Sequence, residues 1–148
     1  MKPLAARIAA QPFFQGLGAP HLKLLGDCAM ATTFVREQVV FREGDLANRF
    51  YLIETGKVAL EFRTSAGRLV LVETIGAGEL LGWSWLFPPY RWHFEARALE
   101  ETSAVFFYGT RLRAFCDEDH RFGYELLKRM AEVAIKRLES TRKNFLEG

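Results

Sequence analysis

Between Gly82 and Ala98 the chain gathers all three of its tryptophans, Trp83, Trp85 and Trp92, with Ser84, Arg91, His93 and Phe94 among them. Aromatic faces beside a guanidinium, an imidazole and a hydroxyl are the materials of a small-molecule site: apolar walls supply contact area and a few polar groups fix orientation. Gly82, Trp83, Ser84, Trp85, Arg91, Trp92, His93 and Phe94 are therefore the candidate ligand-binding residues. From Tyr90 onwards Trp92, Phe94, Ala96 and Ala98 alternate with Arg91, His93, Glu95 and Arg97, the period of a strand with one apolar and one polar face.

Other chemistry is thinly supported. Cys116 and His120 are four residues apart and could meet on one helical turn, but no third group orients them, and Asp117-Glu118-Asp119 reads as a loop or a helix start. His93 falls on the polar face of its strand, and His21 and His120 stand near helix starts, which favours surface and capping roles over metal ligation. Gly76-Ala77-Gly78 followed by Gly82 has the wrong spacing for a dinucleotide loop. With no nucleophile elbow, P-loop, zinc-protease helix or paired carboxylates, no enzyme activity, metal or cofactor is expected. Cys28 and Cys116 read as free, buried thiols of a cytoplasmic protein. The net charge of +2, with acids and bases interspersed, gives no footprint for nucleic acid, and no signal peptide or membrane span is evident.

The elements that must position the aromatic segment change period along the chain. Residues 3 to 29 read as short helices broken by Pro12, Gly16, Gly18 and Pro20. Strands are predicted at Thr32 to Val35, Gln38 to Phe41, Phe50 to Glu54, Lys57 to Phe62, Arg68 to Ile75, Trp92 to Leu99 and Ser103 to Tyr108, with glycine turns between several of them. Such short, evenly spaced strands suit a sandwich, jelly roll or small barrel. Helical periodicity returns at Leu112 to Cys116 and from about Arg121 to Leu146.

That last helix carries two patterns. Tyr124, Leu127, Ala131, Ala134, Leu138, Thr141 and Phe145 follow alternating three- and four-residue steps, and Glu125/Arg129, Glu132/Lys136 and Glu139/Lys143 are acid-first pairs four apart. The seam is read as a homodimer helix, with packing inside one chain as the alternative. A second apolar flank, Leu126, Met130 and Val133, covers the first half only and should pack on the domain's own strands. The helix's basic residues, Arg137 among them, are expected to pair with Glu or to lie along an exposed face.

Val40-Phe41-Arg42-Glu43-Gly44-Asp45, Phe50 to Val58, Gly78-Glu79-Leu80-Leu81-Gly82 and Ala96 to Thr102, in this order between terminal helices, resemble the cyclic nucleotide-binding domain family. That family includes the sensor half of catabolite activator protein and the regulatory subunit of cyclic-AMP-dependent kinase. The resemblance implies an α+β, mainly β fold: an eight-stranded β roll or jelly roll with N-terminal helices, a short cassette helix and a long C-terminal helix. One domain is expected over residues 1–148, with N-terminal helices at 12–30, the roll at 31–108, the cassette at 82–98 and C-terminal helices at 109–147.

In family members that bind cyclic nucleotides, the cassette supplies a Glu for the ribose and an Arg for the cyclic phosphate. At the kinase-type cassette length Trp83 stands where that Glu falls and Trp92 where that Arg falls. Arg91 is one residue out of phase and would need a bulge to replace the Arg. A buried phosphate without a charged partner keeps its desolvation cost, so cyclic AMP is not expected to bind in the usual way. The implied function is a small-molecule-sensing regulatory domain with a degenerate cassette, its effector an apolar or aromatic molecule. The alternatives are cyclic AMP or cyclic GMP in an altered pose, or a ligand-free module for protein interaction or dimerisation. With Gly148 following closely on the seam, no helix-turn-helix and no DNA binding are expected.

Overall fold

A computed structural model describes residues 3–147, with side chains to residue 143. The chain opens with helix α1 (Leu4–Ala9), a 3₁₀ turn at Pro12–Phe14 and helix α2 (Ala19–Asp27). Eight strands follow: β1 (Ala29–Phe34), β2 (Val39–Phe41), β3 (Arg49–Thr55), β4 (Val58–Arg63), β5 (Leu69–Ile75), β6 (Leu80–Leu81), β7 (Glu95–Ala98) and β8 (Thr102–Tyr108). A 3₁₀ turn at Ser84–Leu86 lies between β6 and β7, and helices α3 (Gly109–Glu118) and α4 (His120–Glu147) close the chain.

The strands form two antiparallel four-stranded sheets, β1-β8-β3-β6 and β2-β7-β4-β5, the jelly-roll arrangement expected. The first sheet is covered on both faces, which is why β3 runs Phe50-Tyr51-Leu52-Ile53 without a polar break. Phe50 and Leu52 join Val105 and Phe107 of β8 under the helices, with Leu25, Leu112, Phe122, Leu126 and Met130. Tyr51 and Ile53 join Ala104 and Phe106 inside the roll, facing Val58, Leu60, Ala96 and Ala98 of the second sheet. On the outer face of that second sheet Arg97 binds Glu61 at 3.1 Å and Glu37 at 2.9 Å.

Several boundaries differ from the sequence pattern. The chain is already helical at Leu4, within the stretch 3 to 29 read as short helices but ahead of the boundary drawn at residue 12. Strand β1 spans Ala29–Phe34 instead of Thr32 to Val35, because pairing from Ala29 to Phe107 draws the small residues Ala29 to Ala31 into the sheet despite their weak strand preference. Leu80–Leu81 is a strand of two residues, too short to show a period. The strand predicted from Trp92 to Leu99 begins only at Glu95. Before it, the backbone of Trp92 bonds Asp45 at 3.0 Å and Gly44 at 2.8 Å, and Arg91 bridges Leu46, so residues 91 and 92 pair with the β2–β3 connection instead of with β4. Helix α3 is longer than the Leu112 to Cys116 segment and starts at Gly109. No helix of the described residues is long and apolar enough to cross a membrane.

Candidate functional site

Between the cassette, strands β2 and β4, and helix α4 lies an open cleft of about 340 Å³. Phe41, Leu60, Trp83, Trp92 and Phe94 form its apolar walls, with Gly82 at its floor, and Ser84, His93 and Arg137 contribute polar groups. Each is placed by a local constraint. Gly82 follows β6 with φ +94°, and an added β-carbon would lie 2.6 Å from Cζ3 of Trp92. The indole therefore occupies space that only a glycine leaves. Its face stacks on Phe41, with centroids 3.8 Å apart and planes 7° from parallel. Trp92 is thus buried in the roll interior with Tyr51, Leu60 and Leu81.

The 3₁₀ turn spreads its side chains widely. Trp83, just before it, is half-buried at the mouth of the cleft, while Ser84 is buried and its Oγ lies 3.0 Å from Nδ1 of the exposed His93. Trp85 goes the other way. It is fully buried in the helix layer, 5.3 Å from the Phe50 ring, and a β-carbon on Gly109 would lie 2.9 Å from it. The Trp85 carbonyl accepts a hydrogen bond from Arg113 of α3, whose guanidinium lies 4.1 Å from the Tyr90 ring centroid. Trp85 therefore pins the cassette to the helices and is no part of the cleft lining. Arg91 is also outside: it is exposed and donates from Nη1 to the Gly44 carbonyl at 2.9 Å, the opposite face from Trp92. No bulge turns it inward.

The cation that does reach the cleft comes from α4. Arg137 is 9% exposed, donates from Nη2 to the Leu80 carbonyl, and places its guanidinium 5.1 Å from the Trp83 ring centroid. Its Nε lies 3.5 Å from Oε2 of Glu73 on β5. Burial dominates both partners. Desolvation pulls the Arg137 pKa down against the opposing fields of Glu73 and Glu79, and pushes the Glu73 carboxyl up despite Arg137. Glu73 Oε2 is buried with no hydrogen-bond partner among the described residues. Arg137 is not on an exposed face as the charge pattern implied. A sequence signal existed: Leu126, Met130 and Val133 step by four and three, and four more residues lead to Arg137, a cation on the helix face that packs on the roll.

The same helix shows its other face to solvent. Phe122, Leu126 and Met130 are buried and Val133 packs against them, whereas Tyr124, Leu127 and Leu138 are 62%, 46% and 71% exposed. Ala131 and Thr141 are exposed and Ala134 is half-buried, while the Phe145 side chain lies outside the described residues. Ala134, Leu138 and Thr141 also line a more open groove of about 670 Å³ beyond Trp83 and Phe94.

The remaining candidates stay inert. The half-buried Cys116 thiol is pushed up to about 11, by burial first and then by Asp117 and Asp119, so it stays protonated near neutral pH. Asp119 Oδ1 accepts from the Phe122 N–H at 3.1 Å and caps α4, and its Oδ2 lies 3.2 Å from Nε2 of His21. Among the described residues no three His, Cys, Asp or Glu side chains group to hold a metal ion.

Comparison with known proteins agrees with this architecture. The sequence profile described as cyclic nucleotide-binding domain matches residues 31–119. A CRP-like cAMP-activated global transcriptional regulator of Mycobacterium tuberculosis is 27% identical over 140 residues, covering 95% of this chain and 61% of that protein. The chain thus spans about three-fifths of that relative. The crystal structure of a putative cyclic nucleotide-binding protein from Geobacter metallireducens superposes with TM-score 0.82 at 27% identity, covering 93% of this chain and 99% of the other. Thermus thermophilus catabolite activator protein shares the fold with TM-score 0.72 at 24% identity over 90% of this chain and 61% of its own.

Proposed function

Since the chain belongs to the cyclic nucleotide-binding domain family, we propose that it is a small-molecule-sensing regulatory domain whose effector enters the cleft between cassette and α4 and is not cyclic AMP held in the usual way. The observation that carries this reading is Trp92. Where family members that bind cyclic nucleotides place an Arg for the phosphate, an indole packs on Gly82 and Phe41. A phosphate brought there would meet an apolar ring and lose the charge-assisted hydrogen bonds that offset its desolvation. Trp83, in place of the ribose-binding Glu, adds a half-buried aromatic wall. Two of the relatives named above, the CRP-like transcriptional regulator and the catabolite activator protein, are regulators by name, in keeping with a regulatory, non-enzymatic role. Movement of the cassette against α4 would then carry the signal.

Titration with cyclic AMP and cyclic GMP, followed by calorimetry and tryptophan fluorescence, tests this. No saturable heat below about 100 μM is expected, about 5.5 kcal/mol of binding free energy. Micromolar binding of either nucleotide would overturn the assignment of Trp83 and Trp92. A second reading, a dimerisation or protein-docking module, draws on the exposed Tyr124, Leu127 and Leu138. The two are compatible, because Tyr124, Leu127 and Leu138 are outside the cleft lining, Leu138 lying in the groove next to it.

A further inference from the structure

Resting on that reading, we propose the chemical class of the effector: a compact aromatic or branched apolar molecule bearing one acidic group, with the acid held by Arg137 and the apolar body against Trp83. Arg137 is the one permanently charged side chain lining the cleft among the described residues, and it is 9% exposed. A guanidinium has five N–H donors in a fixed fork. Among the described residues its hydrogen bond is from Nη2 to the Leu80 carbonyl, and its Nε faces Glu73 at 3.5 Å, longer than a good hydrogen bond. The Nη1 donors are left for another acceptor. Neither acid whose field acts on Arg137 lines the cleft: Glu73 faces the groove of about 670 Å³ beyond Trp83 and Phe94, and Glu73 and Glu79 both line a separate groove with Pro12, Phe13 and Lys136. The cleft therefore presents a desolvated cation without an acid beside it in its lining.

The rest of the lining sets the size and shape. Phe41, Leu60, Trp83, Trp92 and Phe94 offer flat apolar area, and a volume of about 340 Å³ is near the small end of ligand pockets. The Arg137 guanidinium lies 5.1 Å from the Trp83 ring centroid, so a ring laid beside the indole would bring a carboxylate or sulfonate within reach of Arg137. The polar pair Ser84 Oγ and His93 Nδ1 gives a second, weaker anchor. Glu73 acts as the counter-ion in the absence of ligand: its Oε2 lacks a hydrogen bond, so an incoming acid would take over the cation from a poorly satisfied partner.

Two fluorescent probes of the same ring system separate charge from apolar fit: 1-anilinonaphthalene-8-sulfonate, an anion, and N-phenyl-1-naphthylamine, its neutral counterpart. Both should brighten saturably with the folded protein, the anion at least fivefold tighter. Arg137→Gln should weaken the sulfonate about tenfold or more and leave the neutral amine within twofold, whereas Trp83→Ala should weaken both. Glu73→Gln should tighten the sulfonate severalfold, and Glu118→Gln, an exposed acid on α3, should not. If Arg137→Gln fails to fold by circular dichroism, Glu73→Gln decides, and unchanged sulfonate binding in that variant overturns the proposal. Equal losses for the two probes in folded Arg137→Gln also overturn the role of charge while leaving a ligand cleft intact. Failure of both probes to bind would refute the cleft reading itself. Cyclic AMP serves as a third titrant. Binding that is lost in Arg137→Gln would support the acid-binding role of Arg137, and binding insensitive to that change would count against it.

Discussion

Gly82→Ala tests the packing that closes the cassette. At φ +94° an L residue is strained by about 1–2 kcal/mol. Its β-carbon would lie 2.6 Å from Trp92 Cζ3 and 2.8 Å from Cη2, roughly an ångström inside ordinary carbon contact. The indole cannot retreat freely, because it is stacked on Phe41 at 3.8 Å. Overpacking against such a ring costs about 1–3 kcal/mol, so the two effects together reach about 3 kcal/mol. At about 2.1 cal/mol/K per residue, the 148 residues unfold with about 0.3 kcal/mol/K, and Tm should fall by about 10 °C. Trp92→Phe removes the two clashing atoms and by itself should cost about 1–2 kcal/mol through lost burial. In the double variant only the φ strain and the lost burial remain, so its cost should be about 1–2 kcal/mol less than the sum of the singles. Thermal melts and urea titrations of the four proteins complete the cycle. Strict additivity within about 0.5 kcal/mol would show that Trp92 does not press on Gly82, and the filled-phosphate-site reasoning would fall with it.

The seam on α4 should hold a dimer. Burying Leu138 in both protomers is worth about 3 kcal/mol, so Leu138→Glu should raise the dimer dissociation constant at least about a hundredfold in sedimentation equilibrium, and a monomeric native chain would refute the seam. Cys116, held at about 11, should carry about a thousandth of its thiolate at pH 8 and react with a disulfide reagent only as pH rises toward 10 to 11. Rapid labelling at pH 7 would contradict its burial. Arg7 donates from Nε to Glu54 Oε2 at 2.9 Å and, through its hydrogen bond first, holds the Glu54 carboxyl below its ordinary range. A depressed acid stabilises the fold above the unfolded carboxyl pKa, and that contribution disappears as pH falls through the folded one. Arg7→Gln should therefore lower Tm by about 3 °C at pH 7, equivalent to about 1 kcal/mol, and the gap from the native chain should close toward pH 3. A gap that widens in acid would reverse the assigned sign.

The parts of the fold that follow one period were legible. Strands β3, β4 and β8 could be placed because apolar residues occupy both faces of β3 and β8 and alternate along β4, and the buried flank of α4 could be placed by its three- and four-residue steps. Trp92 lies on the inner face that the alternation with Arg91 requires. Trp85 was beyond that logic. Trp83 stands just before a 3₁₀ turn that advances about 120° per residue through Ser84 and Trp85, so a strand's two-face rule does not sort the three side chains. The start of β7 was hidden for a similar reason, since hydrogen bonds to Gly44 and Asp45, distant in sequence, hold Trp92 out of the β4 ladder. Arg137 was misplaced because a basic side chain within a charged run along a helix usually lies on a solvated face. Its burial depends on Leu80 and Glu73, which only the folded chain brings to α4.

Placing the cation on α4 instead of on the cassette changes what a bound acid would pull on. In family members that bind cyclic nucleotides, the cassette itself supplies the Arg for the phosphate. Here Arg137 belongs to the helix itself, Trp83 to the cassette, and the two are already in contact at 5.1 Å. A ligand can shift an equilibrium only through contacts that differ between the two states, and an acid bridging Trp83 and Arg137 would favour the state in which cassette and helix are held close. Next along α4, Leu138 and, one turn on from Arg137, Thr141 line the groove beyond Trp83, with Leu138 71% exposed. The charge that would recognise the ligand and the apolar residue that would meet a second protomer thus sit on consecutive positions of one rigid helix, Arg137 facing in and Leu138 facing out. Any rotation of α4 that improves the grip on an acid must also re-aim the seam, which gives a direct physical route from binding to assembly.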